Sequence, residues 1–379
     1  MSSTLITNGQ VLTPGGAFAP ADLRVTDGVI DWVGRGETVA DDAVIDAAGL
    51  YVAPGFIDMH CHVFSHPDSA SQRLHADRIG VRQGVSCVVD TGSAGSQLIG
   101  DFGRHVIDKE DTRAFALCNI GSPGMPGSEG GHAARPDLIA LDGTVRAIAE
   151  NPDWVLGVKV LASATHTGLM GIEAVKIGRK AAELAGTPLM VHIGNAPPLV
   201  DDVLDLLRPG DIVTHAYHGK AGGVLGFGGE VIAQFRAAVE RGVWVDIAHG
   251  RSSFSYATCE RVLEQGMPVH TISSDLHRGN IDRYVVSLAR TMSKFRALGL
   301  TLAEVVTAVA VTPARVLGLD RFGFGSLLPG TAANITIFRE TDKAVAMEDA
   351  SGEVRVSRHW IEPVSVMVAG KVFERAEEL

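Results

Sequence analysis

Two histidines separated by one residue, His60 and His62, stand in the segment GFIDMHCHVF. Side chains two apart on a β-strand point to the same face, so both imidazoles can reach one metal ion while Cys61 points the other way. Imidazole is the commonest metal ligand in proteins. A single buried histidine is more often an ordinary core residue, so the pair predicts a metal site only if other ligands join it.

Further residues that an apolar core disfavours occur in later apolar runs. They are Lys159, His192, His215 and Asp275. Such groups are costly to bury without partners, and a divalent cation is the simplest partner that all of them can share. Imidazole and carboxylate ligands together suit zinc, manganese, iron or nickel, of which zinc is the expected ion.

Lys159 fits this set less simply, because an ammonium group repels a cation. One interpretation is that burial removes its proton. Another is that carbon dioxide has converted the amine to a carbamate, whose two oxygen atoms can bridge two metal ions. The third is a lysine that reaches solvent from a strand end. The residues alone leave these interpretations open.

The elements that must position these residues form a repeating pattern. Eight apolar runs follow one another: YVAPGFIDMHCH, VSCVVDTG, RAFALCNIG, WVLGVKVLA, PLMVHIG, DIVTHAYHG, VWVDIAHG and VHTISSDLH. Most are separated by helix-period segments such as GIEAVKIGRKAAELAG, which favours a parallel sheet covered by helices. We therefore predict an α/β fold, a (β/α)8 TIM barrel, with the polar residues at the C-terminal strand ends. A doubly wound open sheet is the alternative, but its glycine-rich phosphate turn is not evident after the first run.

Both chain ends carry short alternating runs broken by turn residues, such as TLITNGQVLTP near the start and SVMVAGKVFE near the end. Neither end is large enough for a core of its own. We predict that residues 1–54 and 323–379 together form a small β-sandwich domain and that residues 55–322 form the barrel.

Composition limits the classes of function. The formal net charge is −11 and no run of lysine and arginine interrupts it, which argues against a nucleic-acid partner. The first residues lack the features of a signal peptide, and no apolar stretch approaches a membrane span. The four cysteines are scattered without a CxxC pair, as expected of reduced thiols in a cytoplasmic protein. A homo-oligomer is left open.

The motifs APGFIDMHCH, VKV, MVHIG, IVTHAYHG and ISSDLH resemble the amidohydrolase superfamily of metal-dependent hydrolases. The flanks LITNGQVL and GFGSLLPGTAANITIF resemble the β-sandwich ends of its dihydroorotase and hydantoinase-like members. The resemblance covers essentially the whole chain. It implies two divalent metal ions, the first held by His60, His62 and Asp275, the second by His192 and His215, with carboxylated Lys159 as the bridge.

The resemblance also implies a mechanism. Two cations sharing a water molecule lower its pKa toward neutrality, and the resulting bridging hydroxide attacks a carbonyl group. Asp275 then takes the proton of the water and passes it to the leaving group. No GxSxG motif suggests a serine nucleophile.

Longer motifs, among them VKVLASATHTGLMGIE and VDIAHGRSSFSY, resemble a branch often labelled dihydroorotase, some of whose members are deacetylases. The branch usually shows IKARMS where this chain has VKVLAS. This difference lies on the strand that carries Lys159, so it can alter the pocket beside the bridging residue. We expect an ester or amide hydrolase that deacylates a small α-acyloxy or α-acylamino acid, with a carboxylate on its substrate. The alternative is a cyclic amidase of the dihydroorotase or hydantoinase type. A non-catalytic scaffold is less favoured, because such proteins usually lose ligands.

Substrate contacts are expected from the loops after the strands. The candidates are His132, His218, His249, Arg251, Ser252, Ser253 and His277. Each histidine and serine among them is as well explained by a role in orienting a metal ligand, or by an ordinary place in a loop. Arg251 and the further loop cations Arg135, Lys220 and Arg278 include a possible partner of a substrate carboxylate, but each of them is better explained as solvated. The Gly/Pro-rich segment 119–137 has the composition of a lid, although a connector fits it equally well.

Overall fold

A computed structural model of the chain describes residues 3–36, 42–64, 74–125 and 132–376. The strands are β1 (Ser3–Leu12), β2 (Phe18–Thr26), β3 (Val29–Gly34), β4 (Asp42–Asp46), β5 (Tyr51–Pro54), β6 (Phe56–Cys61), β7 (Val85–Gly95), β8 (Arg113–Asn119), β9 (Val155–Ala162), β10 (Leu189–Ile193), β11 (Ile212–Thr214), β12 (Trp244–Asp246), β13 (Ile335–Glu348), β14 (Val354–Val368) and β15 (Lys371–Glu374). The α-helices are α1 (Ala76–Ile79), α2 (Ile99–Phe102), α3 (Leu141–Glu150), α4 (Ala164–Thr167), α5 (Ile172–Ala185), α6 (Val200–Leu206), α7 (Ala233–Glu240), α8 (Tyr256–Glu264), α9 (Leu288–Ala297), α10 (Leu302–Val306) and α11 (Thr312–Leu317).

Strands β6 to β12 form one parallel sheet in which every strand pairs with the next along the chain. The eighth apolar run closes the ring without forming a regular strand. It makes one parallel bridge to β12, between Asp246 and Thr271, and one to β6, between Cys61 and Leu276. The predicted (β/α)8 architecture is confirmed.

The eighth run departs from a regular strand where a backbone N–H group and hydroxyl groups bond to buried carboxylates. Ser273 donates to Asp246, and Ser274 donates through both its backbone N–H and its hydroxyl to Asp58. Asp275 then has a φ of +52°, which a continuing strand does not allow. The same bonds position Asp275 at the barrel mouth.

The barrel strands are apolar along their length because both of their faces are covered. Every residue of β7 and of β9 is buried. Helix α5 packs its apolar side on β9, and the absence of a side chain at Gly178 allows Val160 to approach it closely. The helix ends at Gly186, whose φ of +66° is typical of a glycine C-cap.

The second sheet combines both chain ends. Its order is β15-β14-β13-β5-β1-β2-β3, and β4 pairs with β1. An apolar core that includes Ile6, Leu23, Val52 and Ile335 joins N-terminal and C-terminal strands. The β-rich second domain is therefore built from both ends, as predicted. The exact division after residues 54 and 322 stays a prediction.

The hairpin of β13 and β14 extends from this sheet to the barrel. Its turn residue Asp349 accepts a hydrogen bond from the backbone N–H of Tyr256 at 2.9 Å, and Ile361 in β14 donates its N–H to Ser293 of α9 at 3.0 Å. The hairpin thus braces the start of α8 and one side of α9.

Two further sequence predictions concern the cysteines and membrane-spanning segments. All four cysteines are buried free thiols, as expected, and burial raises the pKa of the Cys118 thiol to about 12. Among the helices of the described residues, none combines the length and the apolar character that crossing a bilayer requires.

Candidate metal centre and active site

A cavity of about 320 Å³ opens at the C-terminal ends of the barrel strands. Its lining includes all six predicted metal ligands. The lining residues are His60, His62, Phe64, Leu74, Ser93, Met125, Lys159, Leu161, His166, His192, His215, Asp275, His277 and Arg278. The barrel therefore brings residues that are far apart in the sequence into one pocket, in which apolar side chains surround the predicted ligands.

Three of the predicted ligands form a compact group. Ligand atoms of His60, His62 and Asp275 all lie within 4.8 Å of one another. Oδ1 of Asp275 is 3.2 Å from Nε2 of His62 and 3.8 Å from Nε2 of His60. Two imidazoles and one carboxylate at this spacing fit the coordination of a single divalent cation.

The other three predicted ligands adjoin this group. Nζ of Lys159 lies 3.2 Å from Nε2 of His60. The ring of His215 is 4.9 Å from that of His60 and 4.4 Å from that of His192, measured between centroids. Lys159, His192 and His215 therefore offer donor atoms beside the first group, as a second cation with a bridging group requires.

Three of the histidines have their Nδ1 atoms occupied by neighbours outside the ligand set. The pairs are His60 with Oγ1 of Thr214 at 2.9 Å, His62 with Oγ of Ser93 at 2.9 Å, and His215 with the carbonyl oxygen of Ala248 at 2.8 Å. Such contacts fix the ring orientation and leave Nε2 available for a metal, which is the usual arrangement in metal sites.

Burial sets the protonation states that this chemistry needs. It lowers the pKa of Lys159 to about 7, against the opposing charges of Asp275, Asp246 and Asp90, so the amine loses its proton readily. It also lowers the pKa of His215 to about 4. Burial raises the pKa of Asp275, but the hydrogen bond from His62 and the neighbouring histidines outweigh it, and the pKa falls below its usual value. At neutral pH, His215 is thus a neutral donor and Asp275 an ionised one.

The backbone is strained where the strands end. His215 has a φ of +61° and Asp275 a φ of +52°, and Ala248 between them in sequence has +42°. Residues other than glycine adopt this left-handed region at a cost of order 1 kcal/mol or more. The strain occurs at two of the six predicted ligands, where the chain must turn side chains toward the cavity.

The predicted substrate contacts divide into two groups. His277 lines the cavity. His132 stacks on His166 with ring centroids 4.8 Å apart, and His166 lines the cavity and lies 5.5 Å from the ring of His192. Burial lowers the pKa of His166 to about 4, so the ring of His166 that lines the cavity is neutral at pH 7.

The remaining candidates lie behind or outside the cavity. His249 is buried, and its Nε2 accepts a hydrogen bond from Nζ of Lys294 at 2.6 Å. His218 is buried and accepts one from its own loop. Ser253 is buried, while Arg251 and Ser252 are exposed. None of these five is among the lining residues, and their role in substrate binding stays a prediction.

The segment 119–137 is only partly described, because residues 126–131 lie outside the described ranges. Met125, before that gap, lines the cavity. Arg135, after it, forms an exposed ion pair with Asp137 at 2.7 Å. Whether the segment is a lid stays a prediction.

Sequence reasoning missed several residues that support the site. They are Asp58, Ser93, His166, Thr214 and Asp246. Two of them left a signal, because Asp58 and Asp246 are carboxylates inside apolar runs, just as Asp275 is. His166 follows the strand of Lys159 in the segment ASATHTG, a loop position that could have drawn attention.

Comparisons with known proteins agree with this geometry. The chain is 34% identical to a deacetylase of Agrobacterium fabrum (strain C58 / ATCC 33970), over 96% of this chain and 91% of that protein. It is 32% identical to a deacetylase of Brucella anthropi, over 99% of this chain and 95% of that protein. No protein-family model matches the chain.

Two solved structures are similar along their whole length. A crystal structure of an adenine deaminase has a TM-score of 0.91 at 30% identity, and one of a dihydroorotase has 0.90 at 31%; each alignment covers 99% of this chain and 100% of the other. Fold, site and relatives together define a metal-dependent hydrolytic enzyme with a small-molecule substrate. The chain belongs to the amidohydrolase superfamily.

Proposed function

We propose that this enzyme deacylates a small α-acyloxy or α-acylamino acid by hydrolysing its ester or amide bond at a centre of two zinc ions. The observation that carries the proposal is the convergence of His60, His62 and Asp275 beside Nζ of Lys159. The two relatives named deacetylase, aligned over nearly the whole chain, support the choice of reaction.

Each ion would have its own ligands. His60, His62 and Asp275 would hold one ion, and His192 and His215 the other. Lys159, as a carbamate, would lie between them, and members of the superfamily use such a binuclear centre with a carboxylated lysine. When bound, the ions supply Lewis-acid chemistry: they lower the pKa of water and polarise the acyl carbonyl group.

Asp275 would be the residue that moves a proton. Its Oδ1 faces His60 and His62, whereas its Oδ2 lies over Gly250, where a side chain would overlap it. Oδ2 can therefore accept a proton from the attacking water and donate it to the oxygen or nitrogen atom of the leaving group. The pKa of Asp275, held below its usual value, keeps this oxygen ionised and ready to accept at neutral pH.

The walls of the cavity determine the fit of the acyl group. Phe64, Leu74, Met125 and Leu161 contribute apolar surface to the lining. These side chains exclude water from the reacting carbonyl, which strengthens the electrostatic contacts within the site. A volume of about 320 Å³ suits a small substrate and is at the low end for ligand pockets.

Hydrolysis of a cyclic amide is the second candidate. The observation that favours it is the whole-length similarity to the dihydroorotase structure, with a TM-score of 0.90. Ring opening uses the same attack on a carbonyl group, so the ligand geometry alone does not separate the two reactions.

A substrate panel tests the choice. Purified enzyme loaded with zinc is assayed with both enantiomers of O-acetyllactate and N-acetylalanine, and with dihydroorotate, hydantoin and adenine. We expect release of acetate from at least one acetylated acid at a kcat/KM well above that for the other compounds. Turnover of dihydroorotate or hydantoin without release of acetate would overturn the deacylase proposal in favour of the cyclic amidase.

The metal site is tested separately from the substrate. We expect His60→Ala and His62→Ala each to lose bound metal, measured by elemental analysis of protein purified without chelator, together with activity. His105→Ala is the control, since His105 is exposed on the segment after α2. Undiminished metal content in both site variants would reject the assignment.

A further inference from the structure

Lys220 is a cation beside the metal centre, in the loop that follows β11 and His215. The loop is fixed at this point, because the backbone N–H of Lys220 donates to Nδ1 of buried His218 at 3.1 Å. The side chain of Lys220 is half-buried rather than extended into solvent. Its position is therefore set by the fold, which a freely solvated lysine would not require.

The ammonium group of Lys220 lies close to a predicted ligand. A Cβ atom built on Gly194 would lie 3.2 Å from Nε2 of His192 and 3.7 Å from Nζ of Lys220. Both nitrogen atoms therefore approach the same glycine, and the ammonium group lies beside the part of the cavity wall that His192 forms.

The charge of Lys220 has no carboxylate partner among the described residues. Lys294, by contrast, donates to His249 and to two backbone carbonyl groups. Burial lowers the pKa of Lys220, while the charge of Asp275 raises it. A half-buried ammonium group without a carboxylate partner is stabilised by an anionic group of the substrate.

We propose that Lys220 binds the carboxylate of the substrate and so selects acylated acids over their neutral counterparts. The inference rests on the proposed deacylase function. In an α-acyloxy or α-acylamino acid, three bonds separate the acyl carbonyl carbon from the carboxylate carbon. A carbonyl group held at the metal ligands therefore keeps the carboxylate close to them, where the ammonium group of Lys220, beside His192, can pair with it.

The test compares an acid with its neutral analogue. Wild-type, Lys220→Met and Lys220→Gln enzymes are assayed with O-acetyllactate and with O-acetyllactamide, in which an amide replaces the carboxylate. We expect both variants to lose about 10- to 100-fold in kcat/KM for the acid, mainly through KM, as for the loss of one hydrogen bond to a charged group. Their kcat/KM for the amide should stay within about threefold of wild type, and Lys220→Arg should retain part of the preference for the acid.

Lys176→Met is the matched control, since Lys176 is exposed on α5 and paired with Glu173 at 2.7 Å. It should leave both substrates unaffected, and metal content should be unchanged in every variant. Equal losses for acid and amide in the Lys220 variants, or no loss for either, would overturn the inference while the deacylase function stands.

Failure of the proposed function gives a different result. If the wild-type enzyme cleaves neither compound, the deacylase proposal is wrong, and calorimetric binding of lactate and lactamide decides the role of Lys220. Weaker binding of lactate alone in Lys220→Met supports a carboxylate site. Unchanged binding of lactate, or equal weakening of both compounds, rejects it.

Discussion

Nδ1 of His60 lies 2.9 Å from Oγ1 of Thr214, and the hydroxyl group of Thr214 donates to Oδ2 of Asp246 at 2.7 Å. Asp246 is completely buried and also accepts hydrogen bonds from Thr271 and Ser273. The chain of contacts runs from one predicted ligand through two barrel strands to the eighth apolar run. It fixes the proton of His60 on Nδ1 and directs Nε2 to the metal centre.

This relationship predicts the effect of removing a single hydroxyl group. Thr214→Val keeps the shape of the side chain but leaves Nδ1 of His60 without its acceptor. We expect metal affinity to fall about 10- to 100-fold, the usual loss when a ligand loses its orienting contact. Competition with a chelator measures it. Thr291→Val is the control, because the hydroxyl group of Thr291 bonds only within its own helix at Ser287; affinity equal to wild type in both variants would contradict the prediction.

The bridging role of Lys159 makes a second prediction. Lys159→Ala should lose more than about a hundredfold in kcat, comparable to the removal of one electrostatic contact from an active site. Acetate or propionate should restore part of the activity by placing a carboxylate where the carbamate stood. Exposed Lys176→Ala should show neither the loss nor any response to added acid. Full activity of Lys159→Ala without added acid would exclude the bridge.

Gly250 provides a third prediction, because it faces Asp275. It has a φ of +55°, and an added Cβ would overlap Oδ2 of Asp275. Gly266 has a φ of +76° with no atom within 4 Å of an added Cβ. Alanine at either position should reduce the free energy of unfolding by about 1 kcal/mol through backbone strain. Only Gly250→Ala should also lose activity; if the two variants stay equally active, Oδ2 is not the group that moves the proton.

The sequence was sufficient for the elements with strong local patterns. Eight apolar runs alternating with helical segments predicted the barrel, and the spacing of two between His60 and His62 placed both imidazoles on one face. The prediction that the two chain ends form one β domain followed from the small size of each end. These features depend on periodicity and composition, which can be read directly from the amino-acid sequence.

The sequence could not show features that depend on how separate loops meet. The left-handed backbone of His215 and Asp275 has no marker in residue type, because glycine is absent there. The contact of His60 with Thr214, and the approach of His192 and Lys220 to Gly194, exist only once neighbouring strands are in register. For the same reason the contact between Nε2 of His249 and Nζ of Lys294 has no signal in the sequence.

The stability of the fold should depend on pH through His270, which is remote from the metal ligands. Its Nδ1 accepts a hydrogen bond from the backbone N–H of Val245 at 3.0 Å, so that nitrogen is unprotonated in the folded state. Burial, and secondarily Arg315, lower the pKa of His270, and the facing charged groups in its cleft are Arg315 and Glu304.

The direction in which stability changes with pH follows from proton binding. Because the pKa is lower in the folded than in the unfolded chain, the unfolded state binds more protons below about pH 6.5, and stability from this residue is lost as the pH falls. His270→Gln offers an acceptor that does not titrate, so its free energy of unfolding should decline less than that of wild type between pH 7.5 and 5.5. Contributions of bound metal to this decline cancel in the comparison. Exposed His105→Gln should decline as wild type does, and an identical decline in all three proteins would show that His270 gains no proton on unfolding.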